Sequence, residues 1–233
     1  MTERSEELAE LMTVEQGKPL RAARNEVRYA ADFLLWFAEE GKWAYGEVIP
    51  SANAAQRMLV LHRPVGVVAA ITPWNYPVSM ITRRSAPALA GCTIVLKPAE
   101  QTPLCATAVF QLLQEAGVPD GVASLVTTSD PGPVGEAFLG DPRVRKLSYT
   151  GSTEVGMQLA GRAAGAMKRV SVELGSHAPF IVFDDADPFT RPKAPPSSSS
   201  STPARRASIP TVSSSSAPSP RRFGPSWAPG WPR

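Results

Sequence analysis

The sequence predicts an α/β fold, a parallel sheet covered on both faces by helices, and three observations point to it. Short apolar, β-branched runs such as "VVAAI" and "CTIVLKP" recur along the chain. Segments of helical periodicity separate them, as crossovers between parallel strands require. Polar or glycine-bearing segments follow directly on the strands, where an open α/β sheet places its ligand sites.

Each element has its own justification. Residues 4–40 read as helical: "SEELAELMTVEQGKPL" sets Leu8, Leu11 and Met12 on one face, and "RNEVRYAADFLLWFAEEGKWAY" carries a strong apolar stripe. "QRMLVLHRPVGVVAAITP" reads as an amphipathic strand leading into a buried one. "VSMITRRSAPALAG" is a helix that ends at Gly91, and "CTIVLKP" is a short buried strand. "TPLCATAVFQLLQEAGVP" is a helix with Thr102 as N-cap, Pro103 at the first helical position and Gly117 as C-cap. "VASLVTT" and "VRKLSYTG" are strands, "STEVGMQLAGRAAGA" is a helix, and "KRVSVELG" and "PFIVFDD" are strands.

Composition divides the chain in two. The formal net charge is +3 over 233 residues, but residues 189–233 hold 7 basic residues and no acidic one. Residues 1–188 therefore carry a net charge of −4, with 17 basic and 21 acidic residues. The basic character belongs to the tail, so overall charge gives no reason to expect a nucleic-acid partner. Cys92 and Cys105 suggest no disulfide framework. The start is charged and amphipathic, unlike a signal or transit peptide, and no apolar run approaches the ~20 residues of a membrane span. A soluble, cytoplasmic protein is expected.

Four segments after strands carry the chemistry. "LSYTGSTEVG" joins a strand, two glycines and a helix start, where backbone N–H groups and the helix dipole suit a pyrophosphate. The spacing from Gly151 to Gly156 departs from G-x-G-x-x-G, so an ordinary turn with Ser152 or Thr153 as N-cap stays open. In "VLKPAE", Lys97 and Glu100 suit ribose hydroxyls, although alone they read more simply as a solvated charge pair. In "ITPWNYP", Asn75 sits in a proline-stiffened loop, as an amide donor to a developing oxyanion would. In "VELG", Glu173 ends a strand beside apolar residues, where burial would raise its pKa toward the general-base range. His62 and His177 read as bystanders, and no metal is expected.

Together, "GVVAAITPWNYP", "GCTIVLKPAEQTP", "RKLSYTGSTEVG" and "VSVELGSHAPFIVFDDADP" occur in an order and spacing that resemble the aldehyde dehydrogenase superfamily. "LMTVEQGKPLRAARNEVRYAADFLLWFAEEGK" and "MITRRSAPALAGCT" are most similar to its succinate-semialdehyde dehydrogenase branch. The resemblance covers roughly residues 8–188. It implies a partial, Rossmann-like cofactor-binding domain over residues 1–188, an aldehyde substrate and a homo-oligomeric family whose oligomerisation segments are incomplete here. It also implies that the chain starts after the family's first segment.

By resemblance, Ile71, Pro73, Trp74, Lys97, Glu100, Gly151, Ser152, Val155, Leu174 and Gly175 match cofactor-binding positions. Asn75 matches the oxyanion amide, Glu173 the general base that activates water, and Arg83 a position that pairs with the substrate carboxylate. Glu100 matches the carboxylate on the adenine ribose 2′-hydroxyl. It would repel a 2′-phosphate, so NAD is expected over NADP. Ser176 stands where the family has glycine.

The family's nucleophilic cysteine comes a little over thirty residues after the base, in "N-A-G-Q-T-C". This sequence has no cysteine after Cys105. However, "STPARRA" (201–207) can be encoded so that the frame starting one nucleotide before Thr202's codon reads Asn-Ala-Gly-Gln-Thr-Cys. The cysteine then falls at codon 207, 34 residues after Glu173. Residues 189–233 accordingly read as out-of-frame translation after about residue 188, a Pro/Ser/Arg-rich stretch expected to be disordered. The implied function is oxidation of an aldehyde, succinate semialdehyde by resemblance, with this chain inactive for want of its nucleophile. The alternative is a non-catalytic NAD-binding module with a basic interaction tail.

Overall fold

The computed structural model describes residues 1–176. The expected strand "PFIVFDD", His177, the boundary at residue 188 and the whole of 189–233 lie outside the described residues.

Two helices lead the chain, α1 (Ser5–Gln16) and α2 (Leu20–Gly41), followed by a ribbon of β1 (Glu47–Ile49) and β2 (Met58–Val60). The α/β layer then runs β3 (Val67–Ile71), α3 (Ser79–Leu89), β4 (Thr93–Lys97), α4 (Pro103–Glu115), β5 (Ala123–Leu125), α5 (Pro131–Gly140), β6 (Val144–Thr150), α6 (Thr153–Gly165) and β7 (Arg169–Glu173). Strands β3 to β7 form one five-stranded sheet in the order β5-β4-β3-β6-β7, every pair parallel.

The sheet has a core on each face because β3 is apolar on both. Val68 and Ala70 pack with α1 to α4 through Leu8, Met12, Val27, Ile81 and Val109. Ala69 faces the other way, onto Phe138 and Leu139 of α5, Leu147 of β6 and Ala163 of α6. That alternation between two apolar layers is the signature of a strand buried on both sides.

The order places the chain's reversal between β3 and β6. From β3 the chain builds outward to β5, then crosses back to lay β6 on the opposite side of β3. Carboxyl ends flanking such a reversal open a crevice for a ligand. The four segments chosen from sequence all follow strands of this one parallel sheet, on the same edge.

Three local expectations need correction. β2 is not amphipathic: all three of its residues are exposed, because the two-stranded ribbon with β1 stands apart from the five-stranded sheet. Helix α5 was not foreseen, since three glycines and two prolines in ten residues carry poor helix propensity. Asp130 nevertheless caps it by accepting from Gly132 N at 3.2 Å, and burial of Phe138 and Leu139 decides the conformation. Thr102 does occupy the N-cap of α4, but its side chain makes no capping hydrogen bond. Glu15 of α1 does this instead, accepting from Leu104 N at 2.5 Å and Cys105 N at 2.9 Å. A carboxylate at a helix N-terminus also meets the positive end of its dipole.

Candidate cofactor edge and its comparison with known proteins

The loop after β3 begins with Ile71 and the buried Thr72, whose N–H continues the β3–β4 ladder by donating to Lys97 O at 3.2 Å. Pro73 and Trp74 are half-buried and Asn75 is exposed, before Tyr76 and Pro77 lead into α3. Gln16 Nε2 donates to the carbonyls of Trp74 and Asn75 at 3.2 and 3.1 Å, so the loop is held through its backbone. The side chain of Asn75 is left exposed at the edge.

At the end of β4, Lys97 is buried and its ammonium donates to Pro98 O at 2.7 Å and to the Glu100 carboxylate. Partial burial pushes the Glu100 pKa up, but hydrogen bonds from Lys97 and from its own backbone, with the Lys97 charge, outweigh it and hold the carboxyl below its ordinary value. The pair is therefore a fixed, charged unit rather than two solvated side chains.

Between β6 and α6, Gly151 donates its N–H to Glu173 O at 3.2 Å, tying the β6 and β7 ends together. A Cβ on Gly151 would collide with the Tyr149 hydroxyl, so a side chain there is excluded by contact. Ser152 is the N-cap of α6 in extended geometry and its side chain makes no capping bond. The first turn of α6, with the exposed Val155, thus presents its backbone N–H groups without a side-chain cap, as an anion site requires. Gly156, one turn in, allows Leu174 to close on the helix, and a Cβ there would meet the Leu174 side chain. Thr153 Oγ1 donates to Gly175 O at 3.4 Å, so Leu174 and Gly175 sit against the start of α6.

Glu173 corrects one expectation. It is exposed and accepts from Arg83 Nη2 at 2.5 Å, so the burial expected from its apolar neighbours is missing. The physical reason is its strand: β7 is the outer strand of the sheet among the described residues, and Val172 beside it is also exposed. Arg83 and Glu173, expected in separate roles, are brought into direct contact. Arg84 was not foreseen at all. Its guanidinium donates to Thr150 Oγ1 and lies 4.0 Å from Glu173, while its Nε is buried without a hydrogen-bond partner. Burial lowers the Arg84 pKa, Glu173 opposes that, and the neighbouring Arg83 charge adds to the lowering. The repeated arginine in "ITRR" was the only signal for it.

Comparison with known proteins decides what this edge belongs to. Residues 1–191 match the aldehyde dehydrogenase family. The chain belongs to that family. The NADP(+)-type succinate-semialdehyde dehydrogenase GabD of Escherichia coli K12 is 58% identical over 188 residues, which is 80% of this chain and 39% of GabD. Two Pseudomonas putida proteins follow at 57% and 55% identity, a glutarate-semialdehyde dehydrogenase and a 3-sulfolactaldehyde dehydrogenase. Among solved structures, an E. coli NADP-dependent enzyme aligns at TM-score 0.77 and 58% identity, covering 80% of this chain and 39% of its own. A Staphylococcus aureus betaine aldehyde dehydrogenase in complex with NAD+ aligns at TM-score 0.76 and 37% identity, covering 80% of this chain and 38% of its own. The chain thus spans about two fifths of the length of these relatives. The family is one of oxidoreductases that use nicotinamide cofactors, and no described helix is long and apolar enough to cross a membrane.

Proposed function

We propose that residues 1–176 are the dinucleotide-binding part of an NAD-dependent aldehyde dehydrogenase whose substrate is succinate semialdehyde. The observation that carries the reading is the β4 end, where Glu100 stands as an ionised carboxylate fixed by the buried Lys97. A carboxylate so placed accepts from a ribose 2′-hydroxyl and repels a 2′-phosphate. The uncapped first turn of α6 fits a pyrophosphate beside it. When bound, the nicotinamide takes hydride from the substrate carbon.

The chain's own residues then have separate tasks. Ile71, Pro73 and Trp74 line the approach from β3. Ser152 and Val155 face the pyrophosphate, and Leu174 and Gly175 close the end of β7. Asn75 donates its amide to the oxygen that gains charge during aldehyde attack. Arg83 binds the distal carboxylate of the substrate, which suits a semialdehyde bearing an acid group. Glu173 takes a proton from water when the acyl group is released. In this chain Arg83 and Glu173 satisfy each other, so substrate must separate them.

The nucleophile is supplied by the frame in which codon 207 reads cysteine. The family match ends at residue 191, close to the inferred shift after residue 188, which supports the out-of-frame reading of the tail. Neither thiol among the described residues replaces it. Cys105 lies on the buried face of α4, where burial and the nearby Glu15 push its thiol pKa far up, and a thiolate is the reactive species. The test is NADH formation from succinate semialdehyde and NAD. The 233-residue chain is expected to give none, and a protein with one nucleotide restored after the Pro188 codon and the downstream frame intact is expected to be active. Comparable rates from both would overturn the missing-nucleophile reading. An inactive restored protein would overturn the substrate.

A further inference from the structure

A buried polar assembly lies beneath the loop after β3. Gly17, at φ 78°, closes α1 in the left-handed region and turns the chain so that Lys18 enters the interior. There it pairs with Glu26 of α2, and the two side chains are 0% and 1% exposed. Each directs its remaining hydrogen-bonding capacity to the same segment. Lys18 Nζ donates to Asn75 O at 2.9 Å and lies 4.2 Å from the centroid of the Tyr76 ring. Glu26 Oε1 accepts from Val78 N and Ser79 N, both at 3.0 Å, and so caps α3, whose own N-cap residue is a valine. Gln16 adds its two bonds to the carbonyls of Trp74 and Asn75.

Stability alone does not call for this arrangement. A buried ion pair is often replaced by packed apolar side chains at no loss, because desolvation offsets the attraction. Directional bonds, by contrast, fix a backbone in place. Here five of them reach residues 74–79, and every one is to backbone, so the side chains of Trp74 and Asn75 remain available at the sheet edge.

We propose that Lys18, Glu26 and Gln16 are positioning residues, a clamp from the N-terminal helices that sets Trp74 and Asn75 for cofactor and substrate. The inference rests on the cofactor reading above for what the loop does, while the clamp itself is tested independently. In the 233-residue chain, Trp36, Trp43, Trp227 and Trp231 are replaced by Phe, leaving Trp74 as the sole indole. Lys18→Met/Glu26→Leu is then compared with this parent by thermal melting, Trp74 emission, hydrogen exchange at Val78 and Ser79, and NAD titration.

The double variant is expected to melt below the parent, because it strands the Val78 and Ser79 N–H groups and the Asn75 carbonyl, with Trp74 emission shifted to the red. Exchange at Val78 and Ser79 should be at least ~10-fold faster, since their acceptor is gone. If the competent loop population drops to about a tenth, the NAD dissociation constant rises ~10-fold. A folded double variant with unchanged emission and exchange overturns the clamp. If it does not fold, Gln16→Met decides, because it removes only the bonds to the Trp74 and Asn75 carbonyls. Unchanged Trp74 emission in that variant overturns the proposal, and a shifted emission supports it. A parent chain that binds no NAD would refute the cofactor reading, and emission and exchange would still decide the clamp.

Discussion

The loop after β3 and the end of β7 lie two strands apart on the same sheet edge, yet they are held in opposite ways. The loop from Trp74 to Ser79 rests on a buried pair and five directional bonds from α1, α2 and the turn between them, three of them to Trp74 and Asn75. Glu173 ends an outer strand among the described residues, exposed, with Arg83 in direct contact and Arg84 4.0 Å away. The difference teaches that the described residues build their own cofactor-side loop but do not enclose the carboxylate that would act as base. A loop of the sheet edge can be preorganised by the first helices of the chain. A base that needs burial must be covered by something packed on β7, and the described residues supply no such element.

The largest effect that would break this comparison is on stability. Lys18→Met alone strands a buried carboxylate, so it should cost ~3–5 kcal/mol in denaturant unfolding. A loss under ~1 kcal/mol would mean that the loop is not anchored by the pair. Next is cofactor choice, which sharpens the comparison at its preorganised end. Glu100→Ser should narrow the NAD:NADP affinity ratio about tenfold, a change of ~1.4 kcal/mol. An unchanged ratio would remove Glu100 from the ribose site. Because Lys97 holds the Glu100 carboxyl below its ordinary value, the intact chain's preference should survive as pH falls from 7 to 5. Preference lost over that range would mean the carboxylate protonates too early to be so paired. The smallest effect is expected at the exposed end. Arg83→Ala should change unfolding free energy by less than ~1 kcal/mol, as solvent-accessible pairs do. A larger loss would show that the Arg83–Glu173 contact is structural and that β7 is better held than its exposure implies.

Much of the fold was legible because its signals are local. β-branched runs broken by helical periodicity identify β3, β4 and β6, and Pro103 with Gly117 brackets α4 to within a residue. The glycine and lysine after those strands could be chosen for chemistry because a parallel sheet delivers its carboxyl ends to one edge. Helix α5 was hidden because its composition argues against helix, and only the contact of Phe138 and Leu139 with the second core favours it. Lys18 and Glu26 were hidden differently. In sequence they are two charged residues among many near the N-terminus, and their partners in the loop lie 57 and 52 residues away.

The sequence by itself determined the family, the parallel α/β class and the four segments that line the edge, since motif spacing and hydrophobic period are properties of neighbours along the chain. Tertiary structure alone decided which charges are buried and which are exposed. Lys18 went inside with a partner and a backbone to bind, whereas Glu173, which looked buried from its apolar neighbours, was left facing Arg83 in solvent. The reason is that desolvation depends on what packs over a side chain from distant elements, and no window of sequence around a residue contains that information.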